Sequence, residues 1–274
     1  MTIVKLKGGL GNQMFQYATG LAVAKRNGQD LFIDASSYES QASKDTPRAY
    51  ELSAFNLSHT KRATVTDSGF VTLFKKVRNK ILPPNPYAFN SAIFNRRTVD
   101  GFFQNERYFL GIRNTILDEF TLKSQSQKFK ETQVFIAGIK SVSMHIRRGD
   151  YVSNPYASAY HGTLDLDYFK RAYDFIISKI GTDFTLFIFT DDIEWTQKNI
   201  TFHPNTFILS NQGFSPAEEI ILMSSCQHNI IANSTFSWWG AWLNQNPTKI
   251  VVAPRSWTAT KVEVDIIPPT WKKI

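Results

Sequence analysis

The opening of the chain limits its fold more than any other stretch. Thr2 to Lys7 reads as a short strand, Gly8-Gly9-Leu10-Gly11 breaks it, and Asn12 to Ala24 follows with helical spacing. Met14, Phe15, Ala18, Leu21 and Ala22 fall on one side of that helix, and Leu31-Phe32-Ile33 begins a second strand. A strand, a tight turn, a helix and a strand in this order connect parallel neighbours, so the spacing predicts an α/β protein. From about Ser36 to Gln104 the order is punctuated by Pro47, Pro83, Pro84 and Pro86 and shows no long periodic segment. Helices are expected over 105–120 and 124–136. Beyond Lys140 the alternation becomes regular. Val142, Met144 and Ile146 alternate with polar residues as in a half-buried strand, and 167–180 is an amphipathic helix. Residues 184–189 form an apolar strand, Ser215-Pro216-Ala217-Glu218 opens a helix with a capping box, and strand, helix and strand follow at 229–232, 235–243 and 249–253. The expectation is two α/β halves, 1–138 and 139–274.

Composition narrows the function classes. Hydrophobic residues are 42% and charged residues 20% of the 274, which excludes wholesale disorder. The net charge of +8 points to an anionic partner: a nucleic acid, a membrane surface or a phosphorylated small molecule. A single cysteine, Cys226, excludes an intrachain disulfide and a four-thiolate zinc site. The start lacks the apolar core of a signal peptide, and no apolar run approaches the ~20 residues that span a bilayer. A cytoplasmic protein is expected.

Three turns carry the candidate chemistry. In Gly8-Gly9-Leu10-Gly11-Asn12-Gln13, glycines let backbone approach a ligand and the helix start favours anions. A dinucleotide fingerprint would use Gly9, Gly11 and the distant Asp34, but its third glycine is Met14 here. A plain tight turn is the other reading, and neither accounts for the two amides Asn12 and Gln13, which look placed to reach a ligand. The second turn is His145-Ile146-Arg147-Arg148-Gly149-Asp150-Tyr151. Period two puts His145 and Arg147 on one face and Arg148 on the other. Arg147, helped by His145, would clamp one diphosphate with parallel donors; the alternatives are a solvated basic loop, or Arg148 paired with Asp150. In the third, Asn233-Ser234-Thr235-Phe236 follows a buried strand and opens a helix. Its backbone donors and the Ser234 and Thr235 hydroxyls would hold a phosphate, or Ser234 or Asn233 would simply cap the helix. Trp238, Trp239 and Trp242 fit core packing better than sugar platforms.

The acids divide similarly. Asp165-Leu166-Asp167 matches a metal-holding Asp-x-Asp pair but stands where a helix cap belongs. Asp191-Asp192 would hold a ribose hydroxyl or cap the next helix. Glu219 would read a guanine edge or face solvent. No cluster of His and acids has metal-site spacing, so no bound metal is expected.

Together, Gly8 to Ala18, His145 to Tyr151, Phe187 to Asp192 before Trp195, and Asn233 to Leu243 resemble the bacterial α-1,2-fucosyltransferases, distant relatives of the α-1,6- and protein O-fucosyltransferases. The resemblance implies a GT-B fold, two Rossmann-like domains facing a central cleft. It implies GDP-β-L-fucose as donor, held by the C-terminal half, with 1–138 on the acceptor side. Fucose would pass with inversion to the 2-hydroxyl of a galactose residue of a surface polysaccharide such as O-antigen, with no cofactor and no obligatory metal. By the same resemblance, Arg147 holds the β-phosphate, Asn12 beside Gly11 reaches the donor, Ser234, Thr235 and Phe236 bind the diphosphate, and Glu219 reads guanine. Asp150 is the candidate base, leaving the same turn as Arg147.

Two rivals remain. One is a fucosyltransferase of the same fold with another acceptor or linkage, its choice written between Ser36 and Gln104. The other is a basic nucleic-acid-binding module, suggested by Lys75, Lys76, Arg78 and Lys80, although no nucleic-acid motif accompanies them. The same segment would equally suit an anionic membrane, where lipid-linked glycan acceptors reside, or plain solvent.

Overall fold

In a computed structural model, residues 1–39, 47–62, 87–149, 162–259 and 264–274 are described, and they divide into two units, Met1–Thr121 and Leu122–Ile274. Asp150, Tyr151 and the segment from Lys75 to Lys80 lie outside the described residues.

The first unit contains β1 (Thr2–Lys5), α1 (Leu10–Arg26), β2 (Leu31–Asp34), β3 (Thr60–Arg62), β4 (Thr98–Val99) and α2 (Arg113–Glu119). Its strands pair in parallel in the order β3-β2-β1-β4. The chain therefore moves outward from β1 through β2 to β3, then returns to the other side of β1 as β4. That reversal makes a topological switch point between β1 and β4. Helix α1 is buried almost throughout its first fifteen residues, which suits a helix pressed onto a sheet. Gly20 allows that approach: a Cβ there would stand 2.9 Å from Val4 Cβ. The close helix–strand packing that Met14 cannot supply comes from Gly20, two turns later. The helix expected over 105–120 is instead two 3-10 turns, Glu106–Tyr108 and Leu110–Ile112, followed by the short α2. The Asn105 side chain accepts from Arg107 N–H, starting a turn where continuous helix was expected.

The second unit runs α3 (Gln127–Ala137), β5 (Ser141–Ile146), α4 (Leu166–Ile180), β6 (Thr185–Thr190), α5 (Ile193–Asn199), β7 (Thr206–Ile208), α6 (Pro216–Ser225), β8 (His228–Ile230), α7 (Thr235–Leu243), β9 (Val251–Ala253) and β10 (Lys272–Lys273). All pairings are parallel, in the order β10-β9-β8-β5-β6-β7. This is the doubly wound order, with the switch point between β5 and β8. Strands β7 and β10 are short edge strands that the sequence pattern left unmarked.

Strand β5 is buried on both faces, where one solvated face was expected. Val142, Met144 and Ile146 pack with Tyr168, Phe169, Ala172 and Ile176 of α4. On the opposite face Ser141 donates to Ile136 O of α3 (3.1 Å) and His145 lies against Phe236 of α7. Helix layers on both sides exclude water from both faces.

The boundary at Thr121 precedes the expected division near Gly138, because α3 belongs to the second unit. Ser126, its N-cap, donates from N–H (3.2 Å) and hydroxyl (3.0 Å) to Glu218 Oε1 of α6, and Gln133 donates to Ser225 (3.1 Å). Trp238, Trp239 and Trp242 are core: each is at most 2% exposed, and the Trp238 indole donates to Ile266 O at 2.8 Å.

Candidate functional site

The switch point of the second sheet gathers two of the three turns. Arg147 leaves the carboxyl end of β5, and Asn233-Ser234-Thr235-Phe236 leaves the end of β8 to open α7. The two meet through His145 and Phe236, whose ring centroids are 5.6 Å apart. His145 is 5% exposed, and burial pushes its pKa well below the usual imidazole range, so the ring is neutral at physiological pH. Its Nδ1 has no hydrogen-bond partner among the described residues.

Arg147 and Arg148 part as the strand period requires. Arg148 turns to packing: its guanidinium stacks over Trp195 at 4.0 Å and its Nε donates to Asp192 Oδ2 at 3.3 Å. Arg147 is about one quarter exposed, with Nη1 3.0 Å from Asp191 Oδ2. The other oxygen of Asp191 accepts from Arg148 N–H at 2.8 Å. Asp191 thus clasps both backbone and side chain of the arginine turn, which fixes Arg147. A Cβ at Gly149 would stand 2.8 Å from Asp191 Oδ2, so glycine is what lets the carboxylate lie there. Asp192 caps α5, accepting from Trp195 N–H at 3.1 Å.

In the third turn Ser234 is the N-cap of α7, accepting from Phe236 N–H at 3.3 Å. Asn233 is buried and donates to Gly162 O (3.2 Å) and Trp257 O (3.3 Å), tying the turn to two other segments. Thr235 and Phe236 are half-buried. Beneath them Asn229 donates to Ser143 Oγ (2.7 Å) and Met223 O (2.8 Å), and Asn244 donates to Asn229 Oδ1 (2.8 Å). This buried amide network joins β5 to β8; no sequence pattern announced it.

Glu219 is half buried near the same sheet edge. It hydrogen-bonds to Ser210, whose hydroxyl accepts from Thr190 N–H at the end of β6 (2.8 Å). Burial pushes its pKa up to about 7 despite that bond. Glu218 points elsewhere, into its capping box with Ser215.

Asp165 and Asp167 are structural. Asp165 caps α4, accepting from Tyr168 N–H at 2.8 Å, and Asp167 pairs with Arg171 one turn on. Among the described residues no three of His, Cys, Asp and Glu stand together as metal ligands would.

The first turn sits at the switch point of the other sheet, and its two amides do different work. Gln13 is fully buried and turned inward: it donates to Gly8 O (3.1 Å) and Ala49 O (2.8 Å) and accepts from Glu51 N–H (2.9 Å). The expectation that it reaches a ligand is corrected accordingly; it ties the glycine turn to the 49–52 loop. Asn12 stays half-buried, and its Oδ1 accepts from Gln104 Nε2 at 2.7 Å. Helix α1 has no side-chain cap at Gly9. Instead the Glu51 carboxylate takes the Leu10 N–H, and burial, opposed by Arg48, raises its pKa. The helix start expected to favour an anion already holds a carboxyl group of the chain's own. Gln104 and Glu51 were missed in the sequence because each lies in the poorly patterned stretch. The amides Gln104-Asn105 just after the Asp100-Gly101 break were the available signal.

The model of glycosyl transferase family 11 matches residues 1–274. An O-antigen biosynthesis glycosyltransferase, WbnK, from Escherichia coli is 33% identical over 97% of this chain and 98% of its own. An alpha-1,2-colitosyltransferase from the same organism is 32% identical, covering 100% and 99%. Among solved structures, POFUT1 in complex with GDP has a TM-score of 0.50 at 14% identity, covering 92% of this chain and 97% of its own. A mutant of Arabidopsis thaliana FUT1 in complex with GDP also has a TM-score of 0.50, at 10% identity, covering 94% and 71%. At those identities the likeness is one of fold, α/β with parallel sheets. A family match that runs the full length of the chain is decisive: the chain belongs to glycosyl transferase family 11, and it is a glycosyltransferase.

Proposed function

We propose that the protein is an inverting galactoside α-1,2-L-fucosyltransferase that moves fucose from GDP-β-L-fucose to the 2-hydroxyl of a galactose residue in a bacterial surface polysaccharide such as O-antigen. The observation that carries this reading is the contact of His145, two residues before Arg147, with Phe236 of the Ser234-Thr235-Phe236 turn at the switch point of a doubly wound sheet, in a chain of family 11. There a diphosphate would face a fixed guanidinium and the backbone donors that open α7. The proposal includes the GT-B arrangement, with 139–274 as donor half and 1–138 as acceptor half. It places the protein in the cytoplasm, with peripheral contact to the anionic inner membrane face where a lipid-linked acceptor would lie. No described helix is long and apolar enough to cross a membrane.

The galactose 2-oxygen would attack the anomeric carbon as its bond to GDP breaks, and the hydroxyl proton would pass to a carboxylate, with Asp150 proposed in that role. Negative charge grows on the leaving diphosphate, and Arg147 would stabilise it without a divalent ion. Neutral His145 would offer an uncharged contact beside it. Asp191 would keep Arg147 aimed, and Glu219 would accept from the guanine N–H edge. No cofactor or metal is required on this reading, so EDTA leaves turnover within about twofold, and complete loss would revive a metal role.

The test is to supply GDP-fucose with a panel of β-galactosides and determine the linkage formed by NMR. An α-1,2-fucosylated galactoside is expected. Another linkage, or turnover confined to a different sugar nucleotide, would overturn the reading. The 32% identity to an alpha-1,2-colitosyltransferase makes a colitosyl donor the second arm of that panel.

A further inference from the structure

The first sheet also has a switch point, between β1 and β4, and an amide–amide hydrogen bond is among the contacts that span it. Asn12 follows the glycine turn after β1, and Gln104 follows the Asp100-Gly101 break after β4. The Gln104 amide donates to Asn12 Oδ1 at 2.7 Å although the residues are 92 apart in sequence. Gln104 is 8% exposed and Asn12 is half-buried, so the bond anchors the more accessible amide to the more buried one.

Both approaches to this bond are conformationally unusual. Phe103, immediately before Gln104, has φ +49°, a left-handed conformation that a bulky residue rarely adopts. It is held there by burial, by an edge-on contact with Tyr108 (5.4 Å), and by Asn105 N–H, which donates to Phe103 O at 2.8 Å. On the other side Gly8 has φ +80°, and a Cβ there would lie 2.8 Å from Asn12 Nδ2. The surrounding fold therefore sustains strain at one end and requires glycine at the other, with the Asn12 amide between. Such outliers gather where geometry serves function. The donated proton fixes which way the Asn12 carboxamide faces: Oδ1 is spent on Gln104, and Nδ2 is presented across Gly8.

We propose that Gln104 is a positioning residue that orients Asn12, so that this switch point presents an N–H donor to a ligand oxygen, such as a phosphate or sugar hydroxyl oxygen. This rests on the proposed sugar-nucleotide transfer and assigns a residue and an orientation within it. Gln104→Leu removes the donor and leaves the Asn12 amide free to rotate. Gln104→Glu replaces the donor with an acceptor and turns the Asn12 amide over.

The experiment is a double-mutant cycle on the full chain with Asn12→Ala, read as kcat and KM for GDP-fucose, alongside thermal melts. Gln104→Leu is expected to lower kcat/KM by about 10- to 100-fold, the scale of a misplaced positioning group. Gln104→Glu should be no better, and Gln104→Leu on top of Asn12→Ala should cost less than threefold more. Independent, multiplying losses would overturn the proposal, as would full activity in Gln104→Leu. A second readout needs no activity: the side-chain amide resonance of Asn12, identified by its disappearance in Asn12→Asp, should shift and broaden in Gln104→Leu. If the wild type transfers no fucose, the functional reading fails while this NMR readout still decides the positioning claim. An unshifted Asn12 resonance would sink that claim whatever the enzyme's substrate.

Discussion

At the scale of single residues, the site depends on charges whose neighbours are already set. Arg147 emerges from a fully buried strand and is braced by Asp191 at 3.0 Å, so its guanidinium loses little freedom on meeting a diphosphate. Arg147→Ala should lower kcat by about 10²–10³-fold, as loss of one preorganised oxyanion donor does, with an unchanged melting curve. A variant that kept full turnover would remove the clamp. Glu219 makes a second prediction. Burial holds its pKa near 7, while accepting from guanine N–H donors requires the ionised form. As pH falls below about 7 the free carboxyl takes a proton, and GDP binding must pay for its release. Affinity measured by calorimetry should therefore weaken as pH falls from 8 to 6, by up to about tenfold per pH unit, and this slope should vanish in Glu219→Gln. A flat profile in the wild type would separate Glu219 from the base.

At the scale of elements, helix ends do much of the specifying. Glu218 serves two helices at once. One oxygen completes the capping box with Ser215, accepting its N–H (2.9 Å) and hydroxyl (3.0 Å), and the other accepts from Ser126 at the start of α3. Burial alone would raise its pKa, but these hydrogen bonds outweigh burial and lower it. Glu218→Ala should cost about 2–3 kcal/mol in urea unfolding, more than a single lost cap, because two helix starts lose a partner. The pH dependence has a definite sign. With the folded pKa below the unfolded one, the stabilisation is complete above the ordinary carboxylate range and is lost as pH falls through the folded value. Glu218→Gln should remove that acid-side loss. Much of this was visible in advance: Ser215-Pro216-Ala217-Glu218 and Asp165 before α4 both read as caps and are caps. The link from Glu218 to Ser126 was not visible, because nothing local relates residues 92 apart.

At the scale of the whole molecule, the two units carry separate predictions. In the first, Glu119 is 1% exposed and accepts from the Tyr17 hydroxyl, from Ser58 N–H (3.2 Å) and hydroxyl (2.5 Å), and lies 2.6 Å from His59 Nδ1. Burial by itself would raise its pKa; these partners hold it below the ordinary range. Removing such a buried centre strands its partners and costs about 3–5 kcal/mol. In scanning calorimetry Glu119→Ala should lower the transition of the first unit, whereas GDP should raise that of the second, by mass action on the state that binds it. If both perturbations moved one common transition equally, the two units would be one cooperative block and the donor assignment would lose this support.

The α/β class, the parallel connections, most helices of the second half and three of the turns were legible in the sequence, because each is written in local periodicity, glycine breaks and caps. Tertiary structure decided the rest. It determined that β5 is dry on both faces, that α3 belongs with Leu122–Ile274, and that Gln13 faces inward while Asn12 does not. It also determined that Asp191 braces the arginine turn and that Gln104 reaches Asn12. The division has a physical cause. Local pattern reports which side of an element is apolar, but a polar side chain's role depends on which distant donor or acceptor the fold brings within 3 Å of it, and only the closed sheets choose that partner.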